Sequence, residues 1–375
     1  VPEVIVIGAG PVGLLMAAEL RRRGVSVEIL EQRAAAGHGS RAIGVHPPVL
    51  AALEDSGLTA ALLEHALRIP RGEARSQGRV LGTVRFDRLS TRFPFVATLP
   101  QAATEEVLAA AAPEPTRGVG VTAIRSAEHH VQLQTEKAER LAPLVVLAGG
   151  ARSRDMVYRS TTAHTYRDRY LMTDADVSDE HYPHTAVVHL DAAGVLESFP
   201  LPGGRRRFVA WDSPTGSAGP QHQRERLQQA LALRGVVGMR EGEATLTTGF
   251  GVRRFVAPQM RSGRLFVIGD AAHEVSPIGG QGMNLGLLDA LTLAPLLASW
   301  VRTAVPPEAA LKQWERARVG SARRAASLAA LNTRLGRPAP AAVDAARRTG
   351  LRLMLGPGAH RLFTRAYAMG FDAHG

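Results

Sequence analysis

The sequence contains no cysteine, which excludes disulfides, thiolate metal sites, iron–sulfur clusters and cysteine nucleophiles. Lysine is almost absent. Only Lys137 and Lys312 occur, so nearly all the positive charge behind the formal +11 is arginine. Those arginines are spread out, apart from short clusters at Arg21, Arg22 and Arg23 and at Arg205, Arg206 and Arg207. No zinc-finger or RNA-binding signature accompanies them, so nucleic acid is not the expected partner. An anionic ligand in a pocket is a more economical use of part of the charge. No apolar run reaches the roughly 18 residues of a membrane span. The first apolar stretch, Val4–Ile7, starts so early that no signal peptide is expected before it, and the expectation is a cytoplasmic protein. No metal site is expected either: His129–His130 and His181–His184 lack a carboxylate at ligand spacing.

What is present is a large apolar fraction, 45% of 375 residues, enough for one big domain or two intimate ones. The opening reads strand, glycine turn, helix, strand: Val4–Ile7, a helical spacing of Val12, Leu15, Met16 and Leu20 over 11–23, then 25–30. Helix is expected over 47–67 and 101–112, strand-like alternation over 75–100, and short strands over 118–147 ending in the buried run Leu144–Leu147. Residues 160–255 read as a largely antiparallel sheet inserted into the α/β frame. A long helix is expected over 282–303, and helix again over 307–370 with a break near 337–341.

Two glycine loops carry the chemistry. Gly8, Gly10 and Gly13 stand between a strand and a helix in the dinucleotide-binding pattern. The first permits a tight turn, the second lets backbone approach a pyrophosphate, and the third lets helix and strand pack closely. Glu31 ends the second strand, where a carboxylate can accept from both ribose hydroxyls of an adenosine and would repel a 2′-phosphate. This motif alone does not separate NAD from FAD. The second loop, GDAAHEVSPIGGQGMN over 269–284, implies a longer ligand. Asp270 at a strand tip can accept from sugar-like hydroxyls such as a ribityl chain. Gly279, Gly280 and Gly282 leave amides open at a helix N-terminus, suited to the negative charge that a reduced flavin carries. Pro277 would stiffen the loop beside the ring.

With these segments in view, the chain resembles the FAD-dependent aromatic-ring hydroxylases of the p-hydroxybenzoate hydroxylase and ubiquinone-biosynthesis hydroxylase type. The resemblance rests on GAGPVG with Glu31, SRAIGVHPPVL at 40–50, Gln101 before a helix, VVLAGGARS at 145–153 and RLFVIGDAAHEVSPIGGQGMNLGLLDA at 264–290. It implies an α/β protein with a Rossmann-like FAD-binding domain (1–74, 97–158 and 252–330), an inserted mostly antiparallel substrate domain (75–96 and 159–251) and a C-terminal helical segment (331–375). It also implies that Gly8, Gly10, Gly13, Glu31, Gln32, Arg33, Arg41, Gln101, Gly269, Asp270, Pro277, Gly280, Gly282, Met283 and Asn284 contact FAD, with Pro277 and Gly280 at the reaction site. A loop residue and a helix-start residue are the plain alternatives for Arg41 and Gln101. The implied activity is monooxygenation of a phenolic, polyketide- or quinone-like molecule through a flavin C4a-hydroperoxide, with NADH or NADPH as reductant. Phe199, Phe208 and Trp211 are candidate substrate contacts, or core of the inserted sheet. His273 reads as structural.

One position departs from the family. An aspartate usually precedes the glycine in the VVLAGGARS segment, and here that place is Gly149. Either Arg152 and the neighbouring backbone compensate, or reduction by the nicotinamide is weak or specialised. The alternatives are a non-oxygenating flavin-binding protein that shelters a reactive intermediate, another flavin oxidoreductase such as a halogenase, and weak membrane-surface contact through the basic, apolar stretch 347–371.

Overall fold

Every side chain of Val4–Ile7, strand β1, is buried. A strand apolar at consecutive positions belongs inside a sheet covered on both faces, and β1 pairs in parallel with a neighbour on either flank. Gly8 then turns with φ +108° into helix α1, Pro11–Arg22, which has proline at its start. The computed structural model describes residues 2–37, 42–158, 163–177, 184–216, 219–236, 247–356 and 360–369.

After α1 come β2 (Val27–Glu31), β3 (Gly44–Val45), α2 (Pro47–Ala52), α3 (Leu58–Glu64), β4 (Leu67–Ile69), β5 (Arg71–Ser76), β6 (Arg79–Arg85), β7 (Val96–Thr98) and α4 (Gln101–Ala111). The strands β8 (Thr116–Arg117), β9 (Val121–Ser126), β10 (Val131–Thr135), β11 (Glu139–Ala142) and β12 (Leu144–Leu147) follow. Next are β13 (His164–Asp176), β14 (Thr185–Asp191), β15 (Gly194–Pro200), β16 (Arg205–Asp212), α5 (Pro220–Ala232) and β17 (Thr248–Val256). The chain ends through β18 (Arg261–Ser262), β19 (Leu265–Val267), β20 (His273–Glu274), α6 (Gly282–Thr303), α7 (Glu308–Leu335), α8 (Ala341–Met354) and α9 (His360–Tyr367).

The result is a mixed α/β architecture with several sheets and C-terminal helices. A six-stranded sheet has the order β18-β19-β12-β1-β2-β8, and only the edge pair β18–β19 is antiparallel. Strand order reverses direction at β1, with β2 on one side and β12 on the other. Ligands of open parallel sheets bind in the crevice beyond the carboxyl ends of strands at such a switch, and the first glycine turn lies there. Helix α6 is long and apolar enough to cross a membrane, but most of it is buried in the core with α1 and α7.

An eight-stranded sheet has the order β20-β17-β13-β16-β15-β14-β5-β6 and is antiparallel except between β14 and β5. Alternation along its strands separates two faces. One buries Tyr170, Val195 and Val209 with Ile278 and Leu351. The other buries Leu171, Leu196, Phe208 and Ala210 with Leu227 and Leu231 of α5.

Three local outcomes differ from the sequence expectation. The helix expected over 47–67 is split at Gly57, whose φ of +76° ends one turn and begins another. The alternation over 75–100 resolves into the end of β5, then β6 and β7, with 86–95 outside any strand. Helix α5 lies within a block read as largely antiparallel sheet, where no helix was expected; its signal was the pair Leu227 and Leu231, four residues apart on one helical face.

Candidate cofactor site and active site

The turn after β1 is shaped by steric need. A Cβ on Gly13 would lie 1.9 Å from the Gly8 carbonyl oxygen, and one on Gly8 would lie 2.6 Å from the Ala148 oxygen. Gly10 is different: a Cβ there would meet no atom within 4 Å. Two glycines thus serve packing, and the middle one leaves open space in front of the α1 N-terminus, where helix amides favour an anion. The buried Glu31 carboxylate accepts from the Ala9 amide at 2.8 Å and the Arg33 amide at 2.9 Å. Arg33 adds a guanidinium contact at 3.0 Å. Burial works to raise the Glu31 carboxyl, but the Arg33 and Ala9 hydrogen bonds outweigh it and hold it below its ordinary value.

The second loop is brought against the first. Val12 of α1 is the meeting point: a Cβ on Gly269 would sit 3.3 Å from its methyls, and one on Gly286 would sit 2.5 Å away. Residues about 257 positions apart therefore share one van der Waals contact. Asp270 is exposed between buried neighbours on both sides, so its carboxylate stands at the open side of this junction. Its backbone carbonyl accepts from Arg154 Nη2 at 2.9 Å, and the same nitrogen reaches Glu274 at 3.0 Å. The Arg154 guanidinium also lies 4.0 Å from the centre of the Phe255 ring.

Beneath the turn is a buried ion cluster. Asp289 accepts from His273 Nε2, from Arg318 Nε at 2.8 Å and from the Gly269 amide at 3.1 Å. Burial pushes the Asp289 carboxyl up, yet His273 and Arg318 together carry it below its ordinary value. His273 is thus committed to holding the turn.

The loop 276–284 is fastened from four directions. The buried Asn284 amide accepts from the His46 backbone at 2.8 Å and donates to the Gly44 carbonyl at 2.8 Å. Thr333 of α7 donates to Ser276 Oγ at 2.9 Å. Gln281 donates to the Ala366 carbonyl of α9 at 2.9 Å. From the eight-stranded sheet, the buried Glu197 carboxyl receives the Gly279 amide. Gly279 and Gly280 take φ values of +103° and +67°, and Gly280 is exposed. Burial depresses the His46 imidazole to about 4, against the opposing carbonyls of Tyr367 and Gly280.

The structure gathers Gly8, Gly10, Gly13, Glu31, Gly269 and Asp270 around one junction. Gln32 and Arg33 are exposed beside Glu31. Gln101 starts α4; its carbonyl oxygen accepts from the Ala42 amide at 3.4 Å and its amide donates to Glu105 at 2.8 Å. Pro277 and Met283 are half-buried, and Gly282 starts α6. Arg41 lies outside the described residues. Phe199 and Trp211 are half-buried, and Trp211 lies on the sheet face that carries Tyr170. Phe208 is not with them: it is 1% exposed and packs against α5. Arg152 is exposed, and the arginine that reaches the second loop is Arg154. The space a side chain at Gly149 would need is taken by Ser153, whose Oγ would lie 2.8 Å from a Cβ there. Of the tail, Thr364, Ala368 and Met369 are buried, while Val343 and Leu353 are exposed.

Sequence reasoning did not single out Arg154, Glu197, Asp289, Arg318 or Tyr170. Two signals were available. Asp289 is the sole acid in the apolar start of α6, and Glu197 is the sole acid of β15; a charge inside an apolar element needs a partner or a task.

The FAD binding domain family model matches residues 2–329, and the chain belongs to that family. It is 35% identical over 324 residues to 6-methylpretetramide 4-monooxygenase of Streptomyces rimosus, covering 80% of this chain and 56% of the relative. The chain thus spans little more than half the length of that relative. Among solved structures, p-nitrophenol 4-monooxygenase PnpA from Pseudomonas putida DLL-E4 shares the fold at a TM-score of 0.89 and 23% identity, covering 100% of this chain and 98% of that one. CabE, an aromatic hydroxylase from angucycline biosynthesis, superposes at a TM-score of 0.78 with 26% identity, covering 99% of this chain and 76% of that one.

Proposed function

We propose that the protein is a FAD-dependent monooxygenase that hydroxylates a phenolic or polyketide-like aromatic molecule, using O2 and NADH or NADPH. The observation that carries this reading is the junction at Val12, where a phosphate-type turn and the Gly269–Asp270 turn meet although far apart in sequence. A single dinucleotide long enough to use both suits it, and membership of the FAD binding domain family supports that choice.

In this reading Gly10 and the α1 N-terminus face the pyrophosphate, and Glu31 accepts from the adenosine ribose. Asp270 accepts from the ribityl hydroxyls. Pro277, Gly280 and the start of α6, including Gly282, Met283 and Asn284, border the ring. Bound FAD supplies a two-electron store and the place where O2 is activated; the protein binds, orients and excludes water. The six-stranded sheet and its helices form the cofactor part, divided in the chain as 1–74, 97–158 and 252–330. The eight-stranded sheet supplies the substrate wall from 75–96 and 159–251, with Phe199 and Trp211 as contacts. The helices of 331–375 close the far side.

The test uses purified protein loaded with FAD. Aromatic substrates should accelerate NAD(P)H oxidation and place one atom of labelled O2 in the product. Failure to retain FAD would end this reading. A second reading, a non-oxygenating FAD protein, is favoured by one observation: Ser153 fills the space beside Gly149, where the family usually carries an aspartate. Retained FAD with nicotinamide oxidation unaffected by any aromatic compound would support it.

A further inference from the structure

Helix α7 turns one flank to the core and the other to solvent. Leu311, Trp314, Arg318, Ala322 and Ala329 are buried on the inner flank. The outer flank carries Lys312, Arg316, Arg323 and Arg334, all exposed, at spacings of 4, 7 and 11 residues. At about 100° of turn per residue, these four side chains leave the helix within about 40° of one another. They form a straight line of cations about 33 Å long.

Nothing in the chain neutralises this line. The helix has two acids, Glu308 and Glu315, and both are engaged elsewhere. Glu308 pairs with Arg261 at 2.7 Å. Glu315 accepts from the Met260 and Arg261 amides at 2.7 and 2.9 Å. Among the described residues Arg316, Arg323 and Arg334 enter no ion pair or hydrogen bond. Other surface arginines sit against carboxylates: Arg92 against Glu54, Arg85 against Asp87, Arg337 against Asp168. Lys312 and Arg316 are moreover like charges one helical turn apart, an arrangement that weakens a helix. The line thus contributes nothing to the fold.

We propose that the outer flank of α7 is a docking surface for an acidic helix of a partner protein. Three of the four cations are arginine, whose planar fork matches a carboxylate with two parallel hydrogen bonds. The line is one side chain wide, so its complement is a rod of carboxylates, as on one face of a helix. Ala309, Ala317 and Ser327 are exposed beside it and are small, which lets a second helix approach closely. A lipid surface is disfavoured because Leu331 is the one large apolar side chain exposed on this helix, and a bound amphipathic helix buries a broad apolar face. Nucleic acid is disfavoured because no exposed aromatic accompanies the cations. The partner would lie on the back of the helix whose inner residues Arg318 and Thr333 hold Asp289 and Ser276 of the second glycine loop and its support. The docking surface stands independently of the monooxygenase reading.

The experiment titrates the whole protein with a fluorescent helical peptide of about 26 residues. Its glutamates repeat the spacings of the cation line, and its other residues are alanine and glutamine. A second peptide of the same composition spreads the glutamates around the helix. Wild type should bind the first peptide better than the second, and less well as salt rises from about 50 to about 300 mM. The triple variant Arg316→Gln, Arg323→Gln, Arg334→Gln should bind it about tenfold more weakly or worse. Removing the same charge elsewhere, with Arg79→Gln, Arg125→Gln and Arg224→Gln, should leave binding at the wild-type level. Melting curves should show both variants folded as the parent is. Arg323→Glu should lose the first peptide and recover affinity when the facing glutamate of the peptide is changed to lysine. Equal binding of the two peptides, or equal binding by wild type and the triple variant, overturns the proposal. Tighter binding of phosphatidylserine vesicles or of duplex DNA through these same arginines overturns it as well.

Discussion

His273 Nε2 lies 2.5 Å from Asp289 Oδ2, and both side chains are at most 1% exposed. The same carboxylate holds Arg318 and the Gly269 amide. Replacing Asp289 by asparagine leaves Arg318 buried without its counter-charge, an error that costs about 3–5 kcal/mol. The variant should lose stability of that order in urea denaturation. Its FAD affinity should fall as well, because Gly269 precedes Asp270. Stability equal to the parent would refute the role given to this cluster.

Two glycines of the first turn, Gly13 and Gly10, separate packing from binding. Gly13→Ala puts a methyl 1.9 Å from the Gly8 oxygen, so α1 must move away from β1. The cost should be about 1–3 kcal/mol of stability, FAD present or not. Gly10→Ala meets no protein atom within 4 Å and has an ordinary φ of −83°. The apo-protein should melt as the parent does, while FAD binds at least about tenfold more weakly, near 1.4 kcal/mol. Melting curves with and without FAD, with a fluorescence titration, distinguish the two.

Acid should destabilise the protein through buried histidines. Burial lowers His46 to about 4 and, despite Asp191, His189 to about 4 as well. The unfolded chain binds these protons below pH about 6.5, and the folded one refuses them until near 4. Their contribution is therefore complete above about 6.5 and is lost as pH falls toward 4, by about 3 kcal/mol for each site at most. Glu197 acts in the opposite direction. Its raised folded value gives stability present below pH about 4.5 and lost as pH rises through about 8. Urea denaturation from pH 4 to about 9 should thus show an optimum, with the acid limb shallower in His46→Asn and the alkaline limb shallower in Glu197→Gln. An unchanged acid limb in the histidine variant would count against its buried, neutral state.

The aromatic residues of the large sheet should behave differently by face. Phe208→Ala empties a site packed on α5 and should cost about 3–5 kcal/mol of stability. Phe199→Ala and Trp211→Ala, at half-buried positions, should cost less and should raise KM for the aromatic substrate more than they lower kcat. Denaturation and steady-state kinetics on the three variants check this. Equal effects on KM from all three would remove the distinction between faces.

The parts legible in the sequence are those with local causes. β1, α1, β12 and α6 follow from consecutive apolar residues, helical spacing and glycine or proline at the ends. The glycine turns were readable because only glycine tolerates the contacts at Gly8 and Gly13 and the φ values at Gly8, Gly279 and Gly280. The buried polar partners were not. Glu197 meets Gly279, and His46 meets Asn284, across 238 residues in the second pair. No local pattern announces such pairings, because they depend on how two sheets and a loop pack. The split at Gly57 and the helix α5 were missed for a smaller reason: one left-handed glycine, or two leucines, outweighed the surrounding periodicity.

The ring-side loop is tied to a residue as late as Ala366. During synthesis on the ribosome the residues of the βαβ unit at the front have all emerged once β2 has. The far loop has to wait until the chain through α9 has left the exit tunnel. The first glycine turn is thus synthesised long before the far loop can be fastened, and a chain shortened ahead of α9 would lose the Gln281–Ala366 tie.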